Sequence, residues 1–359
     1  MKIADVAAYL VEGKCFVVVT TDEGVVGIGE CSPMHSETVG RFVATVLKPR
    51  LMGRNPIETD KLWHEMMLGT YKLGAQGIQP EAVAGIDIAL WDIRGKVMGQ
   101  PIHQLLGGCY REKVPMYASI SGGAHMTPLE MAKRIEKAVN MGYHGVKIRM
   151  DWGVARRDMG VEKDLQMARE CKRVCGDGVP LSFDANNGYS VPTAIRQGRR
   201  FEELGLRHFE EPVAQFDYAG IAQVADALDI PVSAGEHEYT RWQVRDLILC
   251  GHVDIVQADV VKCAGITELV KIAALTDTFN RTFLPHQTQP TVGTAASLHV
   301  VASQHWCDWP QEYTGQSEKL DILFEEPLQF YDGYLTVPQK PGLGLEFKKG
   351  ALDGATRLG

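Results

Sequence analysis

The pattern of apolar and polar residues changes character once along the chain, near residue 110. Before that point, the apolar runs KCFVVVTT and VVGIGE flank the turn sequence DEG and predict two antiparallel strands. A later stretch, PEAVAGIDIALWDIRGKVMG, has apolar residues at helical spacing, which indicates a helix with a core-facing stripe. The residues of this stripe are Val83, Ile86, Leu90, Ile93 and Val97. We therefore predict a separate α+β domain in residues 1–112.

Beyond residue 112, β-prone apolar runs alternate with helical segments as far as residue 325. One unit begins with the strand-like VPMYASISGG and continues with TPLE, a capping box with proline at the first helical position. The apolar run GVKIRM then predicts the next strand. This order of strand, helix and strand is typical of a parallel α/β barrel and not of a β-sandwich. Residues 326–359 are punctuated by glycine and proline and predict a hairpin that leaves the barrel.

Polar side chains close six of the apolar runs in the barrel region. They are Asp184, Glu210, Glu236, Asp259, His286 and Glu312. Their intervals of about 23 to 27 residues match the length of one strand–helix unit, and the C-terminal ends of barrel strands meet at one mouth. A single acidic residue after a strand is more often a helix cap or a surface charge. Six in register favour a functional site, and three carboxylates in consecutive units suit Mg²⁺.

Two cations precede this series on the second predicted strand of the barrel. Lys147 and Arg149 are two residues apart, and side chains at that spacing face the same side of a strand. Both can therefore face the mouth next to Asp184, which follows on the next strand. The alternative is a pair of solvated or carboxylate-paired charges.

Length and composition exclude several classes of function. At 359 residues, the chain is longer than one hydrophobic core usually allows. The formal net charge of −8 and the lack of a long Lys/Arg run argue against nucleic-acid binding. No apolar run approaches the roughly 18 residues of a membrane span, and the N-terminus does not resemble a signal sequence. The eight cysteines include no CxxC pair, so we expect reduced packing residues in a cytoplasmic protein.

The ordered set of motifs resembles the enolase superfamily, most closely its mandelate racemase subgroup. The motifs are KIR on the second strand, Asp184 in DAN, Glu210 in EEP, Glu236 in AGEH, Asp259 with His286, and Glu312 after Gln311. GIDIALWDIRGK and the PGLGLE tail resemble the capping domain of those enzymes. The resemblance implies a modified TIM-type barrel, (β/α)7β, in residues 113–325. It also implies an α+β capping domain to which the tail, 326–359, returns.

The resemblance also implies roles for the site residues. Asp184, Glu210 and Glu236 would hold one Mg²⁺, and Glu210 is preferred to Glu211 because the family's ligand is the first residue of the E-x-P triplet. Asp259 and His286 would form a catalytic dyad in which the carboxylate favours the protonated imidazole. Glu312 would hydrogen-bond the substrate carboxylate as it becomes an enediolate. We further expect a small-molecule sugar acid as the substrate and a homo-oligomeric enzyme.

The chemistry of such a site is the removal of a hydrogen α to a carboxylate. That hydrogen is a very weak acid, and a metal ion, a lysine and a carboxylic acid stabilise the charge that develops; enolase-superfamily sites are one of the standard examples. The mandelate racemase pattern has lysine at both positions of K-x-K, whereas this chain has Arg149 at the second. Arginine stays protonated and is a poor base, so we expect Arg149 to position the substrate or screen its charge. The base is then Lys147, with a pKa lowered by the neighbouring cations, or His286.

The loss of the second lysine favours a one-way reaction over racemisation. We predict a dehydratase of an aldonate or aldarate, in which His286 protonates the departing 3-hydroxyl and the product is a 2-keto-3-deoxy acid. The alternatives are an epimerase, racemase or cycloisomerase that uses the same enediolate, and a non-catalytic relative that only binds metal and ligand. Candidate substrate-binding residues are His35 and Tyr71 on capping-domain loops, and Asn186 and His237 beside two predicted metal ligands.

Overall fold

Antiparallel pairing of the first apolar runs builds a small sheet. The computed structural model describes residues 1–151 and 153–358. Its first three strands, β1 (Ile3–Val11), β2 (Lys14–Thr21) and β3 (Val26–Glu30), follow one another as antiparallel neighbours. A fourth strand from the end of the chain, β14 (Thr356–Leu358), pairs antiparallel with β1.

Helices of the same region cover this sheet. They are α1 (Ser36–Phe42), α2 (Lys48–Leu51), α3 (Thr59–Gly69), α4 (Ile78–Met98) and α5 (Ile102–Leu105). Helix α4 lies so close to β3 that a Cβ at Gly27 or Gly29 would collide with backbone carbonyls of the helix. Four residues of the predicted apolar stripe are fully buried, but the prediction for Val97 was wrong. Val97 is 42% exposed, because it lies in the last turn of α4, where the helix emerges into solvent.

The second region is a sheet of eight short parallel strands. They are β4 (Lys113–Ile120), β5 (Val146–Arg149), β6 (Leu181–Asp184), β7 (Phe209–Glu210), β8 (Val232–Ala234), β9 (Ile255–Val256), β10 (Thr282–Phe283) and β11 (Gln311–Tyr313). Strands β4 to β10 pair in chain order, and β11 pairs with β4. Between β10 and β11, the backbone N–H of Gln287 donates to Oε2 of Glu312 at 3.0 Å.

One helix follows each of the first seven strands. These helices are α6 (Pro128–Asn140), α7 (Val161–Cys175), α8 (Val191–Glu203), α9 (Tyr218–Ala225), α10 (Arg241–Gly251), α11 (Ile266–Thr278) and α12 (Val292–Ala302). The capping box that begins α6 is present: Thr127 Oγ1 accepts from Glu130 N at 3.3 Å, and Glu130 Oε2 accepts from Thr127 N at 2.8 Å. The order (β/α)7β and the capping sheet confirm the predicted fold class.

The tail touches both regions. After the short helix α13 (Glu318–Asp321), the hairpin of β12 (Phe330–Tyr331) and β13 (Tyr334–Thr336) pairs antiparallel with the first residues of β4. The chain then returns to the capping domain, where the backbone N–H of Leu343 donates to the buried carboxylate of Asp92 at 2.8 Å. The domain limits at residues 112 and 325 remain our proposed division.

Side-chain hydrogen bonds join the capping domain to the C-terminal side of the barrel. Trp63 Nε1 donates to the carbonyl of Ala264 at 3.0 Å, and Trp91 Nε1 donates to Thr267 Oγ1 at 2.8 Å. All eight cysteines are free thiols, of which Cys250 is exposed and the rest are buried or half-buried. Among the described residues, no helix has both the length and the apolar character needed to cross a membrane.

Candidate active site

The six predicted polar residues meet on the C-terminal side of the barrel strands. Asp184 and Glu210 are the last residues of β6 and β7, and Glu312 lies within β11. The other three, Glu236, Asp259 and His286, follow the ends of β8, β9 and β10 by two or three residues. All are almost fully buried except Glu236, whose side chain is 14% exposed. Each strand ends where its apolar run ends. Six neighbouring strand–helix units therefore each place one polar side chain on the C-terminal side of the barrel.

Lys147 lies between two of these carboxylates. Its Nζ is 2.7 Å from both carboxylate oxygens of Glu210 and 3.0 Å from Oε1 of Glu312. Burial acts to lower the pKa of Lys147, but Glu210 and Glu312 outweigh it and raise that pKa well above the ordinary value. The prediction that neighbouring cations lower this pKa was wrong, because carboxylates and not cations contact Nζ. The pKa of Glu210 falls to about 2, because Lys147 and His208 outweigh the opposing effect of burial. Gln257 Nε2 also donates to Glu210 at 2.6 Å.

His286, which follows β10, lies between the carboxylates of Asp259 and Glu236. Its Nδ1 is 2.7 Å from Oδ2 of Asp259, so the predicted contact between these residues is present. Its Nε2 is 2.8 Å from Oε2 of Glu236, a contact that the sequence did not predict. Burial acts to lower the pKa of His286, but Glu236 and Glu312 outweigh it and raise it to about 10. Both distances suit hydrogen bonds donated by a doubly protonated imidazole.

An acidic cluster lies beside this histidine. Ligand atoms of Glu211, Glu236 and His237 are within 4.8 Å of one another. Glu211 adopts a left-handed backbone, with φ of 43°, and this places its buried carboxylate in the cluster directly after β7. Burial raises the pKa of Glu211 well above its ordinary value, and the carboxylates of Glu236, Asp184 and Glu210 raise it further. Burial and the neighbouring carboxylates therefore disfavour the ionised form of Glu211.

The three predicted metal ligands have different partners in the structure. Glu236 belongs to the acidic cluster, whereas Glu210 is turned towards Lys147. Asp184 accepts hydrogen bonds from Asn186, from the backbone N–H at 2.7 Å and from Nδ2 at 2.9 Å. Burial raises the pKa of Asp184 well above its usual range, and Glu210 adds to this more than Lys147 offsets. Asp184, Glu210 and Glu236 therefore stay a predicted ligand set.

The four predicted substrate-binding residues fall into two groups. Asn186 and His237 lie inside the site: Asn186 holds Asp184, and His237 Nε2 is 3.2 Å from Oε1 of Glu236. His35 and Tyr71 are exposed on loops of the capping domain. Their roles in substrate binding stay predictions.

Comparison with known proteins covers both regions of the chain. Residues 5–107 match the family described as Mandelate racemase / muconate lactonizing enzyme, N-terminal domain. Residues 130–351 match the family described as Enolase C-terminal domain-like. The chain belongs to the enolase superfamily.

Relatives within this superfamily match nearly the whole chain. An arabinonate dehydratase from Saccharolobus solfataricus is 34% identical over 340 residues, which cover 93% of this chain and 88% of the relative. A D-galactarolactone cycloisomerase from Agrobacterium fabrum is 33% identical over 364 residues, which cover 96% of this chain and 90% of the relative. The structure of a mandelate racemase/muconate lactonizing protein from Paracoccus denitrificans PD1222, complexed with magnesium, is 40% identical and superposes with a TM-score of 0.96 over 99% of each chain.

Two buried charges of this enolase-superfamily site were not predicted from the sequence. Glu211 was set aside in favour of its neighbour Glu210. Lys262 was not considered, although it follows Asp259 by three residues in the same polar loop. Its Nζ is 3.2 Å from Oε1 of Glu236, and the side chain is almost fully buried. The available signal was the run QADVVK, in which a lysine lies one helical turn after a predicted catalytic acid.

Proposed function

We propose that this member of the enolase superfamily is a Mg²⁺-dependent dehydratase of a sugar acid. The observation that supports this most is the pairing of two opposed cationic groups at one mouth. Lys147 reaches it from the second strand and His286 from the seventh, and each is held between two carboxylates. One group can therefore serve the α-carbon and the other the neighbouring carbon that loses its hydroxyl.

The donor set fits a hard divalent cation. The carboxylates of Asp184, Glu210, Glu211 and Glu236 offer oxygen ligands. Burial and the neighbouring carboxylates raise the pKa of Glu211, and a bound cation would favour its ionised form. Asp184, Glu210 and Glu236 would hold it, with Glu211 and His237 adjacent to Glu236. Bound Mg²⁺ would supply Lewis-acid stabilisation of negative charge on the substrate carboxylate. The related Paracoccus structure with magnesium supports this assignment.

The chain's own residues account for the proton transfers. Held between Glu210 and Glu312, Lys147 is an ammonium that stabilises the negative charge of the enediolate. It accepts the α-proton only in its neutral form, which a cation bound to Glu210 would favour. His286 donates a proton from Nε2 to the departing 3-hydroxyl, and Asp259 orients the ring through Nδ1. Loss of water leaves an enol, which tautomerises to a 2-keto-3-deoxy acid. The similarity to an arabinonate dehydratase supports this reaction class.

A screen for 2-keto acid formation tests the proposal. Purified enzyme with Mg²⁺ is incubated with a stereochemically complete set of pentonates, hexonates and aldarates, and products are detected as semicarbazones. We expect turnover of at least one acid and none by an Asp259→Asn variant of equal stability. Binding of Mg²⁺ without turnover across the set would instead favour a non-catalytic relative.

The second candidate is a cycloisomerase of a sugar-acid lactone, favoured by the similarity to the galactarolactone enzyme. The same enediolate would then break a ring carbon–oxygen bond instead of releasing water. Mass spectrometry separates the two reactions, because a cycloisomerase product keeps the mass of its substrate and a dehydratase product is lighter by one water.

A further inference from the structure

Lys262 is a buried cation that the proposed proton transfers do not use. It lies in the loop between β9 and α11, where its backbone N–H donates to the carbonyl of Asp259 at 3.0 Å. Its side chain is 4% exposed, and its Nζ is 3.2 Å from Oε1 of Glu236. A buried ammonium is costly unless a carboxylate compensates it. The contact with Glu236 therefore accounts for the burial of Lys262.

The two oxygens of Glu236 have different partners. Oε2 is 2.8 Å from Nε2 of His286, the proposed proton donor. Oε1 is 3.2 Å from Nζ of Lys262 and 3.2 Å from Nε2 of His237. Lys262 thus contacts the carboxylate oxygen that faces the acidic cluster of Glu211, Glu236 and His237.

The charge of Lys262 is fixed by the acids around it. Burial acts to lower its pKa, but Glu236, Asp259 and Glu211 outweigh burial and raise that pKa above its ordinary value. An ammonium group therefore lies beside oxygen atoms that a divalent cation would use as ligands. Like charges repel more strongly in a buried site than in water, so this ammonium and a cation bound to Glu236 would oppose each other.

We propose that Lys262 is a positioning residue for Glu236 that also sets the affinity of the site for Mg²⁺. Without metal, the ammonium compensates the carboxylate and holds Oε1 in place. With metal, the same ammonium opposes binding at Glu236, so the affinity is lower than the carboxylates alone would give. This inference rests on the proposed function in one respect, since it takes Glu236 as a metal ligand.

Magnesium binding by charge variants at position 262 tests the proposal without an activity assay. Titration calorimetry with MgCl₂, after treatment with a chelator, compares the wild type with Lys262→Met, Lys262→Gln and Lys262→Arg. The glutamine variant keeps a hydrogen-bond donor for Glu236 but has no charge, whereas the arginine variant keeps the charge. Lys271→Met is the matched control, because Lys271 is a half-buried lysine of α11 that pairs with Asp60 of the capping domain.

We expect both neutral variants to bind Mg²⁺ roughly tenfold more tightly than the wild type, because a repelling charge is removed. Lys262→Arg should stay within a factor of about three of the wild type, and Lys271→Met should match it. Unchanged or weaker Mg²⁺ binding in the neutral variants would overturn the proposal.

Thermal unfolding in EDTA and in Mg²⁺ separates this role from a purely structural one. Lys262→Met should be less stable than the wild type in EDTA and should gain more from Mg²⁺, because the metal replaces the lost cation. An equal loss of stability in both solutions would overturn the proposal, as would neutral variants that do not fold even in Mg²⁺.

A second substitution tests whether Lys262 acts through Glu236. In a Glu236→Gln background, Lys262→Met should change Mg²⁺ affinity much less than it does in the wild type. An equal gain in both backgrounds would overturn the action through Glu236.

The two proposals fail separately. Weaker Mg²⁺ binding by Glu236→Gln, with no gain in the neutral variants of Lys262, would leave the proposed function standing and remove the role of Lys262. Tighter binding by the neutral variants, with no keto-acid product from any sugar acid, would support the role of Lys262 and remove the dehydratase.

Discussion

Buried carboxylates at the contact between capping domain and barrel differ from those at the barrel mouth. At the domain contact, Asp87 accepts hydrogen bonds from the backbone N–H and the hydroxyl of Thr267, at 2.9 and 2.6 Å. Glu30 accepts from the backbone N–H of Gly293 at 2.9 Å. These partners are neutral groups in the first turns of α11 and α12. Burial outweighs them and raises the pKa of Asp87 and of Glu30 to about 7.

At the mouth, two of the carboxylates, those of Glu210 and Glu236, have partners that are themselves ionised. Glu210 contacts Lys147, and Glu236 contacts both His286 and Lys262. These cations hold the pKa of Glu210 at about 2 and that of Glu236 well below its usual range, against the effect of burial. The buried acids at the domain contact therefore favour the protonated form, whereas Glu210 and Glu236 favour the ionised form because cations contact them.

Removing the cation between Glu210 and Glu312 should have the largest effect. We expect Lys147→Met to abolish turnover and to lower the free energy of unfolding by about 3–5 kcal/mol, because two buried carboxylates lose their counter-ion. Adding Glu210→Gln should restore much of the stability but none of the activity. Urea unfolding measures the stability of these variants, and product assays measure their activity. A Lys147→Met variant as stable as the wild type would show that Lys147 does not neutralise Glu210 and Glu312 in the folded protein.

The second-largest effect should come from replacing His286, the proposed proton donor. We expect His286→Asn to reduce product formation by a factor of about 100 or more, because the leaving hydroxyl loses its proton donor. Exchange of the substrate's α-hydrogen in D₂O should persist if Lys147 is the base. NMR of recovered substrate and product measures both. Loss of exchange as well would assign both steps to His286, and undiminished dehydration would contradict either role.

Metal binding distinguishes the two neighbouring glutamates after β7. With the predicted ligand set, Asp184→Asn, Glu210→Gln and Glu236→Gln should each weaken Mg²⁺ binding by a factor of about 10 or more. Glu211→Gln should weaken it less, since Glu211 would lie outside the ligand set. Titration calorimetry ranks the four variants. A larger loss for Glu211→Gln than for Glu210→Gln would place the ion in the cluster of Glu211, Glu236 and His237.

The smallest effect is a pH dependence at the domain contact. The pKa of Asp87 rises from its ordinary 3.8 to about 7 on folding, so the folded protein binds this proton more tightly. That contribution to stability is complete below about pH 4 and is lost as the pH rises through about 7. The stability advantage of the wild type over Asp87→Asn should therefore fall by about 1–3 kcal/mol between pH 5 and pH 8.

Urea unfolding at the two pH values measures this difference. Asp353→Asn, at an exposed position, is the control and should show a constant difference from the wild type. A difference that does not change with pH for Asp87→Asn would mean that its carboxylate is not protonated on folding.

The sequence alone determined the fold and the positions of the polar side chains around the mouth. An apolar run followed by a polar residue about every 23 to 27 positions specifies where each strand ends, and parallel strands of one barrel must end on the same side. The pairing of Asp259 with His286 follows from that spacing, because the two residues end neighbouring strands. These features depend on local pattern, which a sequence displays directly.

Only the tertiary structure decided which of these charges meet. Glu210 turns to Lys147, and a left-handed backbone at Glu211 brings a second carboxylate towards Glu236. Which partner each glutamate contacts depends on charges from strands that are far apart in the chain, and no local sequence pattern specifies it.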